Sequence, residues 1–158
     1  MKKNIFLMLL TALTFTVGSC GSDSEELKPE SVDQRFKPGS DDRPTTWTAP
    51  DYSQFEYRMA VQVQLGDTLA AFQSSGDLMC AQNDGEVRAV TSPQITGGVV
   101  YYPLLIAGHG DEQTISLYYY CERLHRIYTI TNWATFDATA APTGYSGFYR
   151  PQFLKALL

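Results

Sequence analysis

Histidine is scarce in this sequence, a basic cluster is missing, and no apolar run is long enough to cross a bilayer. Only two histidines stand among 158 residues, His109 in Gly108-His109-Gly110-Asp111-Glu112 and His125 in Glu122-Arg123-Leu124-His125-Arg126. A metal centre takes three or four spaced ligands. His109 therefore reads as part of a polar hairpin turn, and His125 as a solvated, locally charge-paired position. There is no phosphate-cradling glycine loop and no metal motif. Acids outnumber bases by 17 to 12, a net charge of −5. Without a Lys/Arg cluster the chain has no face for phosphates, which excludes nucleic acid and anionic lipid surfaces as partners. Cys80 lies between Met79 and Ala81, a setting for burial rather than for a reactive thiolate. Asp111 and Glu112 are neighbours in a turn, whereas glycoside hydrolysis needs two carboxyls about 5–10 Å apart across a substrate. No catalytic residue, metal or cofactor is assigned, and the chain reads as a non-enzyme.

The longest apolar stretch, Ile5 to Val17, follows Lys2 and Lys3. A spanning helix needs about 20 apolar residues, so this length fits a secretory signal instead. Val17-Gly18-Ser19-Cys20 resembles a bacterial lipobox, which implies cleavage after residue 19 and a lipid on Cys20. Several acyl chains, at about 0.8 kcal/mol per buried CH₂, would anchor the protein without a transmembrane helix. Loss of Lys2 and Lys3 with the signal would take the net charge to −7. Gly21-Ser22-Asp23-Ser24-Glu25-Glu26 resembles the acidic export signal of Bacteroidetes surface lipoproteins. That resemblance implies an outer-membrane location facing the cell exterior.

Three segments are expected: a signal peptide over 1–19, a lipidated acidic tether over 20–50, and one folded domain over 51–158. The tether reading rests on Ser, Asp, Glu, Lys and Pro with only Leu27 and Phe36 as large aliphatic or phenyl side chains before Trp47. Such a stretch buries too little apolar surface to offset its ordering entropy. Trp47 is a candidate for the first residue packed on the domain. With Cys20 lipidated, Cys80 and Cys121 remain. They are either a disulfide enclosing about 40 residues, contributing about 3–4 kcal/mol through loop entropy, or two buried thiols acting as small apolar side chains.

From Tyr57 the apolar residues recur with period two. Met59, Val61, Val63 and Leu65 alternate with Ala60, Gln62 and Gln64, the pattern of a half-buried strand. Thr68 to Phe72 fits either one helical turn or a strand extension. Leu78 to Gln82 and Val87 to Val90 flank Asp84-Gly85, a hairpin signal. Pro93 to Gly98 reads as a loop. Val99 to Ile106 is apolar on both faces, as in a central strand, and Pro103 within it marks a bulge or an edge. Thr114 to Cys121 alternates again, with Ile115, Leu117, Tyr119 and Cys121 on one side. Leu124 to Thr131 and Trp133 to Phe136 read as a further strand pair, and Phe153-Leu154 as a last strand. Short strands, frequent turns and no long helical period point to an all-β, antiparallel, immunoglobulin-like β-sandwich.

Aromatic residues carry the remaining signal. If Tyr119 faces the core, Tyr118 and Tyr120 face the other way. With Tyr101 or Tyr102, Tyr128 and Trp133 they form a candidate aromatic patch for a partner, a peptide or a glycan, set against the simpler reading that sandwich strands favour tyrosine. Asp77-Leu-Met-Cys-Ala, Glu86-Val-Arg88-Ala-Val, Leu117-Tyr-Tyr-Tyr-Cys121 and Tyr149-Arg-Pro151-Gln-Phe153 together resemble a group of Bacteroidetes extracellular β-sandwich domains. The resemblance implies a small surface lipoprotein, an accessory or ligand-binding subunit of a SusC/SusD-type TonB-dependent importer of peptides or glycans. An adhesin or fimbria-like subunit, and a glycan-binding module or small hydrolase, are the alternatives.

Overall fold

A computed structural model describes residues 35–110, 113–138, 147–153 and, for the backbone, 155–156. Eight strands form it: β1 Tyr57–Val63, β2 Leu78–Asn83, β3 Glu86–Thr91, β4 Gln94–Thr96, β5 Val99–Gly108, β6 Thr114–Cys121, β7 Arg126–Thr135 and β8 Lys155–Ala156. A 3-10 turn, Tyr52–Gln54, and a one-turn helix, α1 Asp67–Ala70, complete the regular elements. Two antiparallel sheets pack face to face as an all-β sandwich. One has three strands in the order β1-β5-β4, the other five in the order β3-β2-β6-β7-β8.

The period-two reading of β1 matches its burial. Met59, Val61 and Val63 are buried and their neighbours are not. They meet Leu104 and Ile106 of β5 and, from the other sheet, Met79, Leu117, Tyr119 and Tyr128 in one core. Each such apolar side chain contributes about 1.5–3 kcal/mol by leaving water. Asp84 and Gly85 turn the β2–β3 hairpin at φ 47° and 82°, the left-handed pair that a two-residue turn requires. β5 is the central strand of its sheet, as its apolar faces imply. Gln62, the register partner of Pro103, directs its carbonyl to Tyr149 and thus away from β5. Pro103 therefore lacks its N–H on the opposite side, where β4 reaches only as far as Tyr101. The proline sits at a local edge and costs no ladder bond.

The structure departs from the sequence expectations in several places. Pro93 to Gly98 is not all loop: Gln94–Thr96 pairs with β5 across Gly97-Gly98, both at positive φ. Leu124 to Phe136 holds one strand, not two. Ile130 pairs with Leu117 and Ala134 with Ile115, so four residues of β7 span what two of β6 span. This bulge carries Asn132 at φ 52°. Thr68 to Phe72 begins as the helical turn α1. The last strand is Lys155–Ala156, beyond Phe153.

Residues 35–50, expected within the tether, lie along the sandwich. Tyr128 Oη donates to the Arg35 carbonyl at 2.7 Å and Arg126 Nε to the Lys37 carbonyl at 2.6 Å. Gly39 N–H donates to the Leu124 carbonyl at 2.6 Å, and Asp41 Oδ2 accepts from Ile127 N–H at 2.9 Å. Phe36 stacks on Phe72 and Trp47 leans on Tyr118. A Cβ on Gly39 would lie 2.7 Å from both the Arg126 side chain and the His125 carbonyl, so only glycine permits this approach. The composition is tether-like, but hydrogen bonds to the β6–β7 hairpin, together with Phe36 and Trp47 packed on aromatic rings, supply the ordering. Residues 20–34 lie outside the described part.

Candidate functional site

Two buried polar constellations stand out. The first centres on Asp77, which is fully buried just before β2. Its Oδ2 accepts from Tyr119 Oη at 2.7 Å, Tyr102 Oη at 3.1 Å and Ser74 N–H at 3.0 Å. Its Oδ1 accepts from Glu122 N–H at 3.0 Å. The Ser74 hydroxyl lies 3.0 Å from Oδ1 and 2.7 Å from Glu122 Oε2, shared between the two carboxyl groups. Burial, reinforced by the Asp77 charge, pushes the Tyr102 hydroxyl well above its usual range. Burial, with Tyr102 and Asp77 adding to it, does the same to Tyr119. Every oxygen of Asp77 is engaged, and the donors come from its own turn and from two distant parts of the chain. The constellation ties the Ser74–Asp77 turn to both sheets and is structural in character.

The second lies at the seam between the sheets, along the β1 and β7 sides. One half of this seam is closed by the C-terminal segment. Tyr149 N–H donates to the Gln62 carbonyl and the Tyr149 carbonyl accepts from Gln64 N–H, each at 2.8 Å. Arg150 Nε donates to Gln64 Oε1, Phe153 packs on Tyr119, and Lys155–Ala156 pairs with Tyr128 and Thr129 of β7. The segment thus passes from one sheet to the other.

The other half holds a cavity of about 260 Å³ lined by Met59, Val61, Trp133, Ala134, Thr135, Asp137 and Tyr149. Trp133 meets Tyr149 edge to face at 5.2 Å. Its indole Nε1–H is buried and has no hydrogen-bond partner among the described residues. Backbone groups face this half as well. Phe136 N–H bonds to Gln113 of the β5–β6 connection, so by strand alternation Thr135 and Trp133 direct theirs to the opposite, outer edge. No strand pairs with that edge past Thr129 among the described residues. A shallower depression of about 320 Å³ lies by Ile95, Val100 and Arg123.

The sequence-predicted residues do not assemble into one patch. Tyr118 and Tyr120 do share the outer face of the five-stranded sheet, as alternation requires. Trp47 covers part of Tyr118, and Tyr120 is only 2% exposed. Tyr128 lies in the core, its hydroxyl pushed up to about 12 by burial. Trp133 lines the seam cavity, and its partner there is Tyr149, which alternation along β6 could not indicate. Tyr101 packs on Phe148, while Tyr102 serves Asp77. The shared patch fails because its members occupy the core, a covered face and the seam.

The cysteine alternatives resolve to two buried thiols. Cys80 is opposite Tyr118 in the β2–β6 register. Cys121, three positions beyond Tyr118, points to the other face, so no bridge can form within this sheet. Burial pushes the Cys80 thiol up to about 12 and raises Cys121; both are protonated and unreactive at neutral pH. His109 packs on Phe55, whose ring in turn lies 4.9 Å under the Arg88 guanidinium. Cys20, Asp111 and Glu112 fall outside the described residues.

The fold and the seam define a small all-β sandwich with an aromatic-lined cleft between its sheets. No family model matches the chain, nor does any curated protein or solved structure.

Proposed function

We propose that the protein is a non-catalytic surface lipoprotein, held in the outer membrane through Cys20, that serves as a ligand-binding accessory subunit of a SusC/SusD-type importer. The single observation that carries the binding role is the half-open seam. It pairs an apolar floor, Met59 and Val61, with two aromatic side chains and a buried indole N–H that lacks an acceptor among the described residues. An apolar pocket with a few convergent polar groups is the usual form of a ligand site. The membrane address rests on the lipobox resemblance. The strap of residues 35–50 adds that the sandwich is bound from Arg35 onward, which leaves at most residues 20–34 between the lipid and the first docked residue.

The test is purification of the tagged full chain from detergent-solubilised outer membranes. Recovery of a β-barrel transporter subunit with the chain is the expected result, and Cys20→Ala should release the chain from the membrane fraction and abolish that recovery. Recovery of the chain alone would overturn the accessory role.

A further inference from the structure

We infer that residues 35–50 form a detachable strap, which leaves the outer face of the five-stranded sheet as one unit while the two sheets stay packed. The inference goes beyond the importer reading and stands without it. Three observations carry it. The first is what lies beneath the strap. Leu78, Cys80 and Tyr120 are buried, yet they do not belong to the core between the sheets. Alternation against Met79 and Tyr119 puts all three on the outer face of β2 and β6. That face is apolar where a solvated sheet face is polar, so it needs a cover. Trp47 leans on Tyr118, the register partner of Cys80. Arg43 and Asp42 stand close enough to the Tyr120 hydroxyl for their charges to act on it.

The second observation is the strap itself. No residue from Arg35 to Pro50 is buried. The strap covers apolar surface without burying a side chain of its own. The third is its attachment. The hydrogen bonds of Arg35, Lys37, Gly39 and Asp41 all end on Leu124–Tyr128, at one hairpin turn and the start of β7. Arg43 then donates to the Gly76 carbonyl at 2.8 Å. From Pro44 to Pro50 no hydrogen bond reaches the sheet among the described residues. The ladder β3-β2-β6-β7-β8 is complete without any strap residue.

A segment with few buried apolar contacts and water-exposed hydrogen bonds opens at a lower free energy than the whole fold. Here the break falls between the strap and the sandwich. The open form presents Leu78, Cys80, Tyr118 and Tyr120 to water. It also frees residues 35–50, about 50 Å of chain at roughly 3.3 Å per residue. One element thus sets both the reach of the sandwich from what precedes Arg35 and the exposure of an aromatic face.

The experiment follows thiol labelling of the full chain with Cys20→Ala, which leaves Cys80 and Cys121 as the only thiols. The probe is iodoacetamide, and mass spectrometry reads each cysteine separately. Cys121 belongs to the core between the sheets and reports unfolding of the sandwich. We expect Cys80 to be labelled at least about tenfold faster than Cys121. Its rate should rise far less steeply with urea, because opening the strap exposes less surface than unfolding does. Val61→Ala weakens the core and should speed Cys121 by about tenfold while leaving Cys80 unchanged. Gly39→Val would drive a side chain into Arg126 and the His125 carbonyl, and should speed Cys80 by about tenfold. Equal rates for the two thiols, with the same urea slope, would mean that the strap leaves only when the sandwich unfolds, and would overturn the inference. So would fast labelling of Cys80 that Gly39→Val does not speed, since the strap would then not be its cover. Neither result bears on the importer reading.

Discussion

Asp77 and Trp133 are both buried polar groups in the same sandwich, and they are treated in opposite ways. Asp77 is met by two tyrosine hydroxyls and two backbone N–H groups, with a serine hydroxyl alongside. Trp133 buries a donor beside a cavity with nothing among the described residues to receive it. A satisfied network rigidifies a fold, whereas an unsatisfied buried donor costs free energy that only an outside acceptor can recover. The contrast separates an end of the molecule whose polar groups are matched from a side where one buried donor is not.

The sharpest way to break this contrast is to remove Asp77. Asp77→Ala leaves four donors buried without an acceptor, and should cost about 4 kcal/mol in urea unfolding, a Tm drop on the order of 10–20 °C. Tyr119→Phe removes the shortest of the bonds and should cost about 2 kcal/mol. That is more than the cost of Tyr102→Phe, whose bond is longer. If Asp77→Ala came within about 1 kcal/mol of the wild type, the network would not be what secures this end.

Asp77 also shows where sequence reasoning stops. It stands at the end of a turn cluster, Ser74-Ser75-Gly76-Asp77, and nothing local marks it as buried. Its burial is made by Tyr102 and Tyr119, 25 and 42 positions away, and no local pattern carries such a contact. Local periodicity did carry β1, β6 and the Asp84-Gly85 hairpin, because each depends on which face meets the core. It failed at β7, where the bulge between Ile130 and Ala134 breaks the alternation and makes one strand look like two. β4 offers a single apolar residue, Ile95, too few for a period, although Gly97-Gly98 after it is a two-residue turn of the hairpin kind. Alternation placed Tyr120 on the outer face correctly. It could not show that the face is covered by a strap whose composition is that of a tether. At the seam, Trp133 was singled out by its residue type, while Tyr149, Met59 and Val61 became its neighbours only through the fold.

A pH titration sharpens the same contrast from the side of the satisfied groups. Burial raises Cys80 from 9.0 to about 12 and Tyr128 from 10.0 to about 12, and raises Tyr102 and Tyr119 further. In the unfolded chain these groups lose their protons near pH 9–10, while the folded chain keeps them. The unfolded state then binds fewer protons, so stability falls as pH rises. Full stability is expected below about pH 9. At roughly 1.4 kcal/mol for each tenfold change in proton affinity, the loss by pH 12 is on the order of several kcal/mol. Denaturant midpoints measured from about pH 7 to 12 would show it. A flat profile across that window would mean that the core tyrosines and thiols are reached by water.

The smallest expected effect is the most telling. Trp133→Phe deletes the unpaired N–H and part of a ring that is only half-buried, and keeps an aromatic face against Tyr149. Losing packing contacts destabilises, while losing a desolvated donor without a partner stabilises. The two should nearly cancel, so the unfolding free energy of the ligand-free chain should shift by less than about 0.5 kcal/mol. A stability loss near about 2 kcal/mol would show instead that the indole N–H is already bonded in the folded chain. Trp133 would then belong with Asp77 among the groups that hold the sandwich together.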